Sequence, residues 1–235
     1  MRSNLDGNFC GTRANRGSLQ YNLKASVWPL LLAAVCITFL STATTPAARG
    51  EWEWMNPGVN GSPLKGLGSA GTNTVFAVGD GSVILRFNGA QWAPMNKAVN
   101  TQLTAVAGRS GADAIAVGVT GAIVRYDGSA WSQIASGTAA SLWSAWGTAG
   151  ADYVVVGDSG TIRKLAGGEW QAMDSGVTCP LYGIWGDSPT NLTAVGEAGT
   201  ILRYNGTAWR IVRQGGATLN GIWGGAPATS GWPSS

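Results

Sequence analysis

The chain has 235 residues, a length that suits one or two domains. It carries 36 Gly, 12 Trp and no His, and this excludes Ser-His-Asp and Cys-His mechanisms together with the usual His-containing zinc sites. Residues 1–48 hold four basic residues against one acid, and the rest holds 11 of each, so no basic stripe remains downstream to bind nucleic acid by counterion release.

The first segment reads as an address. Lys24 is followed by the apolar run Ala25–Leu40 and then by small residues ending in Thr45-Pro46-Ala47-Ala48. A basic region, a short apolar region and small residues before a cleavage point describe a secretory signal. Cleavage after Ala47 or after Ala43 suits that pattern. The alternative over residues 1–48 is an uncleaved membrane anchor, although Val27–Leu40 is short of the roughly 18–20 residues of a spanning helix. The chain is thereby expected to be secreted or periplasmic, and any membrane contact would run through this segment. Cys10 and Cys36 lie in the leader, so cleavage leaves Cys179 alone and no internal disulfide.

Residues 49–235 form the second region, and an internal repeat decides its fold. The segment Phe76–Trp92 recurs as Ile115–Trp131, Val154–Trp170 and Thr193–Trp209, each copy 39 residues after the last. Trp92, Trp131, Trp170 and Trp209 coincide, as do Gly79, Gly118, Gly157 and Gly196. Leu64, Leu103, Leu142 and Leu181 keep the same period. Each unit reads as four short strands. The second is a nearly unbroken apolar run such as Tyr153–Val156, which suits a strand buried on both faces. Gly-x-x-Gly patterns separate the second and third strands. Asn88-Gly89, Asp127-Gly128 and Asn205-Gly206 separate the third and fourth, and they predict type I′ hairpins, whereas Ala166-Gly167-Gly168 predicts a different turn in the third copy.

Four short antiparallel strands per repeat predict an all-β β-propeller with blades at about 64–98, 103–137, 142–176 and 181–215. Partial strands at 51–56 and 219–224 leave the ring incomplete on paper. Either the reading is truncated, or an open arc closes by self-association through its blade edges. The alternative is a five-unit ring with one degenerate blade.

The unit Ala-Val-Gly-x-x-Gly-x-Ile-(Leu/Val)-Arg-(Tyr/Phe)-(Asn/Asp)-Gly-x-x-Trp resembles the repeats of bacterial secreted propellers, both sialidase-like (BNR or Asp-box-like) and photosystem II assembly-factor-like. That resemblance covers about residues 52–224 and implies architecture; its members include binding scaffolds, assembly factors and glycosidases.

Little in the repeats promises catalysis. Gly157-Asp158-Ser159-Gly160 echoes a serine-protease nucleophile segment, but the chain has no His to act as base, and the position is a turn in every copy. No copy meets the Asp-box order Ser-x-Asp-x-Gly-x-x-Trp. Scattered acids without an Asp-x-Asp loop offer no metal site, and no cofactor motif is present. The basic column Arg86, Arg125, Lys164 and Arg203 repeats in every blade and reads as solvated strand-edge residues.

Recognition is expected where the copies differ. Asp80, Asp158 and Glu197 fall on equivalent turns of one rim. They share it with the variable fourth-to-first-strand loops, which carry Asn100, Gln102 and Asp174. First-strand tryptophans, Trp146 and Trp185 among them and Trp143 and Trp223 beside them, are candidates to line the axial mouth as a stacking surface. The sequence thus points to a non-enzymatic scaffold for a protein or carbohydrate ligand. The alternatives are a sialidase-like glycoside hydrolase and an assembly factor for a membrane complex.

Overall fold

The computed structural model describes residues 62–224. The leader expected over 1–48 and the strand expected at 51–56 lie outside the described residues.

Among the described residues sixteen strands form four sheets, each a sequential antiparallel meander. The first blade is β1 (Leu64–Ser69), β2 (Val75–Gly79), β3 (Ile84–Phe87) and β4 (Trp92–Pro94). The second is β5 (Leu103–Ser110), β6 (Asp113–Gly118), β7 (Ile123–Tyr126) and β8 (Trp131–Ile134). The third is β9 (Leu142–Trp146), β10 (Val154–Gly157), β11 (Ile162–Ala166) and β12 (Glu169–Met173). The fourth is β13 (Leu181–Ser188), β14 (Asn191–Gly196), β15 (Ile201–Tyr204) and β16 (Trp209–Arg213). These are the four propeller blades that the 39-residue period predicts.

The second strands show why apolar runs are required here. Side chains on a strand alternate between faces, and in the two middle blades both faces of this strand meet a neighbouring blade. Val154 and Val156 pack with Leu181, Leu202 and Trp209 of the fourth blade, while Val155 joins Ile115, Val117 and Ile123 of the second. The repeated Trp closes the outer part of each wedge: Trp131 sits edge-on against Phe76 across the first boundary, with ring centroids 5.2 Å apart. Trp131 and Trp209 are both buried, and each such burial contributes about 2–3 kcal/mol. Nearer the inner strands the blades touch by backbone. A methyl group on Gly68 would fall 2.3 Å from the Val106 carbonyl oxygen, so only glycine fits between β1 and β5.

Two turn types organise the strand ends. Between second and third strands, a single 3-10 turn carries two consecutive left-handed residues: Thr120 and Gly121, Ser159 and Gly160, Ala198 and Gly199. In the first blade the pair is Gly81 and Ser82. Gly121 and Gly160 lie against loop carbonyls that leave no room for a side chain, whereas the Ser82 hydroxyl donates to the Thr101 carbonyl oxygen at 2.5 Å.

The third-to-fourth-strand turns correct the sequence reading. Asn88, Asp127 and Asn205 do not adopt the left-handed conformation of a type I′ turn; only the following Gly89, Gly128 and Gly206 have positive φ. The connection is a four-residue loop in which the Asn or Asp side chain accepts two backbone N–H groups, Ala90 and Gln91 on Asn88 for example, at 3.0 and 2.9 Å. The type I′ geometry occurs in the third blade, where Ala166 pairs with Glu169 around Gly167 and Gly168, both left-handed. An acceptor side chain stabilises the longer loop; where it is missing, two glycines allow the tight one.

Candidate functional site

One irregularity recurs in all four blades and builds the site. The ladder between first and second strands shifts by a residue after the leading Leu: Leu64 pairs with Gly79 but Gly66 with Val78, Leu103 with Gly118 but Ala105 with Val117. The same shift follows Leu142 and Leu181. Lys65, Thr104, Trp143 and Tyr182 are therefore the extra residues of four β-bulges. A bulge re-aims its unpaired side chain, and here all four converge on one cavity of about 270 Å³, completed by Gln102 and Asn220. Four successive blades can share a cavity only at their common inner edge, so this is the axial mouth.

The rim acids stand directly behind this inner collar. The turn residue 15 positions after each bulge donates its backbone N–H to the residue preceding the first strand: Asp80 to Pro63, Val119 to Gln102, Asp158 to Ser141 and Glu197 to Pro180, at 2.9 to 3.1 Å. The rim shared by these turns and the loops is thus held by backbone bonds. Within it, the Lys65 ammonium lies 3.7 Å from the Asp80 carboxylate. The Trp143 indole N–H donates to Asp158 at 2.5 Å, and the Trp143 and Tyr182 rings meet at 6.2 Å and 60°. Thr104 spends its hydroxyl proton on the Leu142 carbonyl at 2.6 Å, tying the second blade to the third.

Of the residues singled out from sequence, Gln102 lines the cavity, Asp80 and Asp158 contact residues that do, and Glu197 holds the equivalent turn position of the fourth blade, exposed and bonded to Pro180 through its backbone N–H. Asn100 is exposed on the loop before β5. Asp174 lies elsewhere, capping its own loop by accepting the Gly176 N–H at 2.9 Å, in a separate depression shared with Arg163 and Ser175. Trp146 is not at the mouth: it is 8% exposed, packs into the core between the third and fourth blades, and donates to the Gly186 carbonyl at 3.0 Å. Trp185 is half-buried against Gly224 rather than in the cavity. Sequence reasoning passed over Lys65, Thr104 and Tyr182. The available signal was contrast, since the position after an invariant Leu reads Lys, Thr, Trp and Tyr in successive copies.

The opposite ends of the strands carry a paired network. Arg109 and Arg125 both bridge to Asp113, Arg109 also donates to the Ala151 carbonyl at 2.6 Å, and its guanidinium lies 4.6 Å from the Tyr153 ring centroid. The Tyr153 hydroxyl donates to the Asp113 carbonyl at 2.9 Å. Burial, with the Asp113 carboxylate adding, pushes this hydroxyl well above the ordinary tyrosine range. Arg125, Lys164 and Arg203 of the basic column meet Asp113, Asp152 and Asn191 respectively, each the residue 12 positions earlier, at or just before the start of the second strand. The network joins the second and third blades, with two guanidiniums sharing one carboxylate.

These features define a β-propeller repeat protein. Solved structures similar to it include the RRP9 WD40 repeats (10% identity, TM-score 0.55, 62% of this chain and 47% of that one) and the WD40 propeller domain of Doa1 (12% identity, TM-score 0.52, 69% and 56%). YCF48 from Cyanidioschyzon merolae is also similar, with 19% identity and a TM-score of 0.49 over 64% of this chain and 56% of that one. The chain spans about half the length of the solved structures it matches. No protein-family model matches it, and no curated protein does.

Proposed function

We propose that this chain is an extracytoplasmic, non-enzymatic propeller scaffold that binds a protein partner at the axial mouth. One observation carries the reading: a frame that otherwise repeats delivers four different side chains, Lys65, Thr104, Trp143 and Tyr182, onto one cavity through four identical bulges. Variation concentrated on a rigid frame is what recognition requires. Of the three rim acids, Asp80 is paired with Lys65 and Asp158 accepts the Trp143 indole N–H within its own blade, which supports a binding role over hydrolysis. The Ala25–Leu40 segment supports export. A carbohydrate ligand is the second reading, and the Trp143–Tyr182 pair is what favours it.

A photoreactive amino acid at Asn100 or Gln102, in the cells that make the protein, should crosslink one discrete partner. The same label at Ser132 or Gln171, exposed on outer strands, should not. Equal crosslinking from all four positions, or none from any, overturns the reading. Turnover of a glycoside that Asp158→Asn abolishes would overturn the non-enzymatic assignment.

A further inference from the structure

We propose that the axial mouth recognises a basic side chain, best an arginine, presented by the protein partner; this rests on the scaffold reading above. The cavity has two unlike halves. On one side Lys65 and Asp80 face each other at 3.7 Å and neutralise one another. On the other, the Trp143 and Tyr182 rings stand at 60°, the Asp158 carboxylate holds the Trp143 indole, and neither Asp158 nor Glu197 at the equivalent turn of the next blade forms an ion pair with any described residue. Asp158 accepts the Trp143 indole N–H on one oxygen, and no described residue bonds the other.

An aromatic face attracts a cation through its quadrupole, and the effect strengthens where a carboxylate lies beside the ring. Guanidinium suits such a mouth better than ammonium, because its plane stacks on indole or phenol while its edge presents paired N–H donors to a carboxylate. The indole bond to Asp158 fixes both the ring and the acceptor before the ligand arrives, so little side-chain freedom is lost on binding. Gln102 and Asn220 at the cavity wall supply carbonyl acceptors for the remaining guanidinium or peptide N–H groups. Among the lining residues an anionic ligand has only Lys65 to meet, already shared with Asp80, and it would face the Asp158 carboxylate beside Trp143.

The test titrates the full chain by calorimetry with Gly-Arg-Gly, Gly-Lys-Gly and Gly-Glu-Gly peptides, blocked at both ends, and with a free hexose. The 15N-indole resonance that disappears in Trp143→Phe reports where binding occurs. Saturable binding is expected in the order arginine, lysine, then nothing for glutamate or hexose, with the Trp143 indole resonance shifting. Asp158→Asn should weaken the arginyl peptide about tenfold, and Lys65→Met, which removes the competing cation, should tighten it severalfold. A role for these residues in folding alone would not move the two variants in opposite directions. Preference for the glutamyl peptide or hexose, or arginine binding indifferent to both variants, overturns the proposal. If no peptide binds while Gln102 still crosslinks its partner, the arginine assignment fails and the scaffold reading stands; loss of the crosslink as well removes both.

Discussion

Gly160→Ala tests the turn that carries the rim. Gly160 has φ +64°, and a methyl group there would lie 1.9 Å from the Val177 carbonyl oxygen. A left-handed conformation costs a residue with a Cβ about 1–2 kcal/mol. The loop must also retreat by more than 1 Å, which breaks the 3.0 Å bond from the Gly160 N–H to the Cys179 carbonyl, worth about 1 kcal/mol. Together these come to about 2–3 kcal/mol, or roughly 4–12 °C in Tm for a domain of this size. Ser159→Gly is the control. Ser159 is equally left-handed, at φ +56°, but exposed, so relief of its strain is offset by the extra freedom of glycine in the unfolded chain, and the change should stay within about 0.5 kcal/mol. Thermal and urea melts followed by circular dichroism measure both. A Gly160→Ala protein melting within about 2 °C of the parent would mean that the loop does not press on the turn, and the account of the rim would be wrong.

Other expectations follow from the same structure. Asp113→Ala leaves Arg109 and Arg125 without their shared carboxylate at a partly buried boundary, and should cost about 2 kcal/mol in urea unfolding. The Tyr153 hydroxyl, raised by burial, contributes stability that is present below the unfolded tyrosine value of about 10 and lost as pH rises beyond it. The alkaline decline in stability should therefore flatten in Tyr153→Phe, and an unchanged slope would refute the burial argument. Backbone N–H groups of Ala130 and Ser129 hold the exposed Asp127 carboxyl at about 2, so its small contribution is lost only in strong acid. Asp127→Asn should match the parent at pH 7, because Asn88 and Asn205 cap the equivalent loops in the same way; a clear loss in melting temperature would show that charge matters there.

The blades were legible because a period of 39 and an apolar second strand are properties of the chain itself. The turn at Asn88-Gly89 misled because its type depends on where β3 and β4 stop pairing, a matter of loop length that two residues do not reveal. Trp146 misled for a related reason. Leu142 and Trp146 share parity along β9, so simple alternation puts them on one face, yet Leu142 packs toward the second blade and Trp146 toward the fourth. The bulge at Trp143 reverses the alternation between them. Because a bulge is a relation between two strands, the first strand does not announce it. The rim acids could be placed on equivalent turns because the second-to-third-strand turns align by their glycines; the inner collar was passed over because nothing in Lys65, Thr104 or Tyr182 alone sets it apart.

The amide bonds that clamp the rim have a consequence for how such a protein can change. Asp80, Val119, Asp158 and Glu197 all hold the frame through backbone N–H, a contact blind to the side chain attached. The register break at each bulge likewise accepts a lysine, a threonine, a tryptophan or a tyrosine with the same geometry. Eight positions thus form two concentric rows of interchangeable letters on a fixed page. A single substitution can respell what the mouth accepts while the blade beneath it stays unaltered, and a gene that duplicates such units gains, with each copy, two more letters to write.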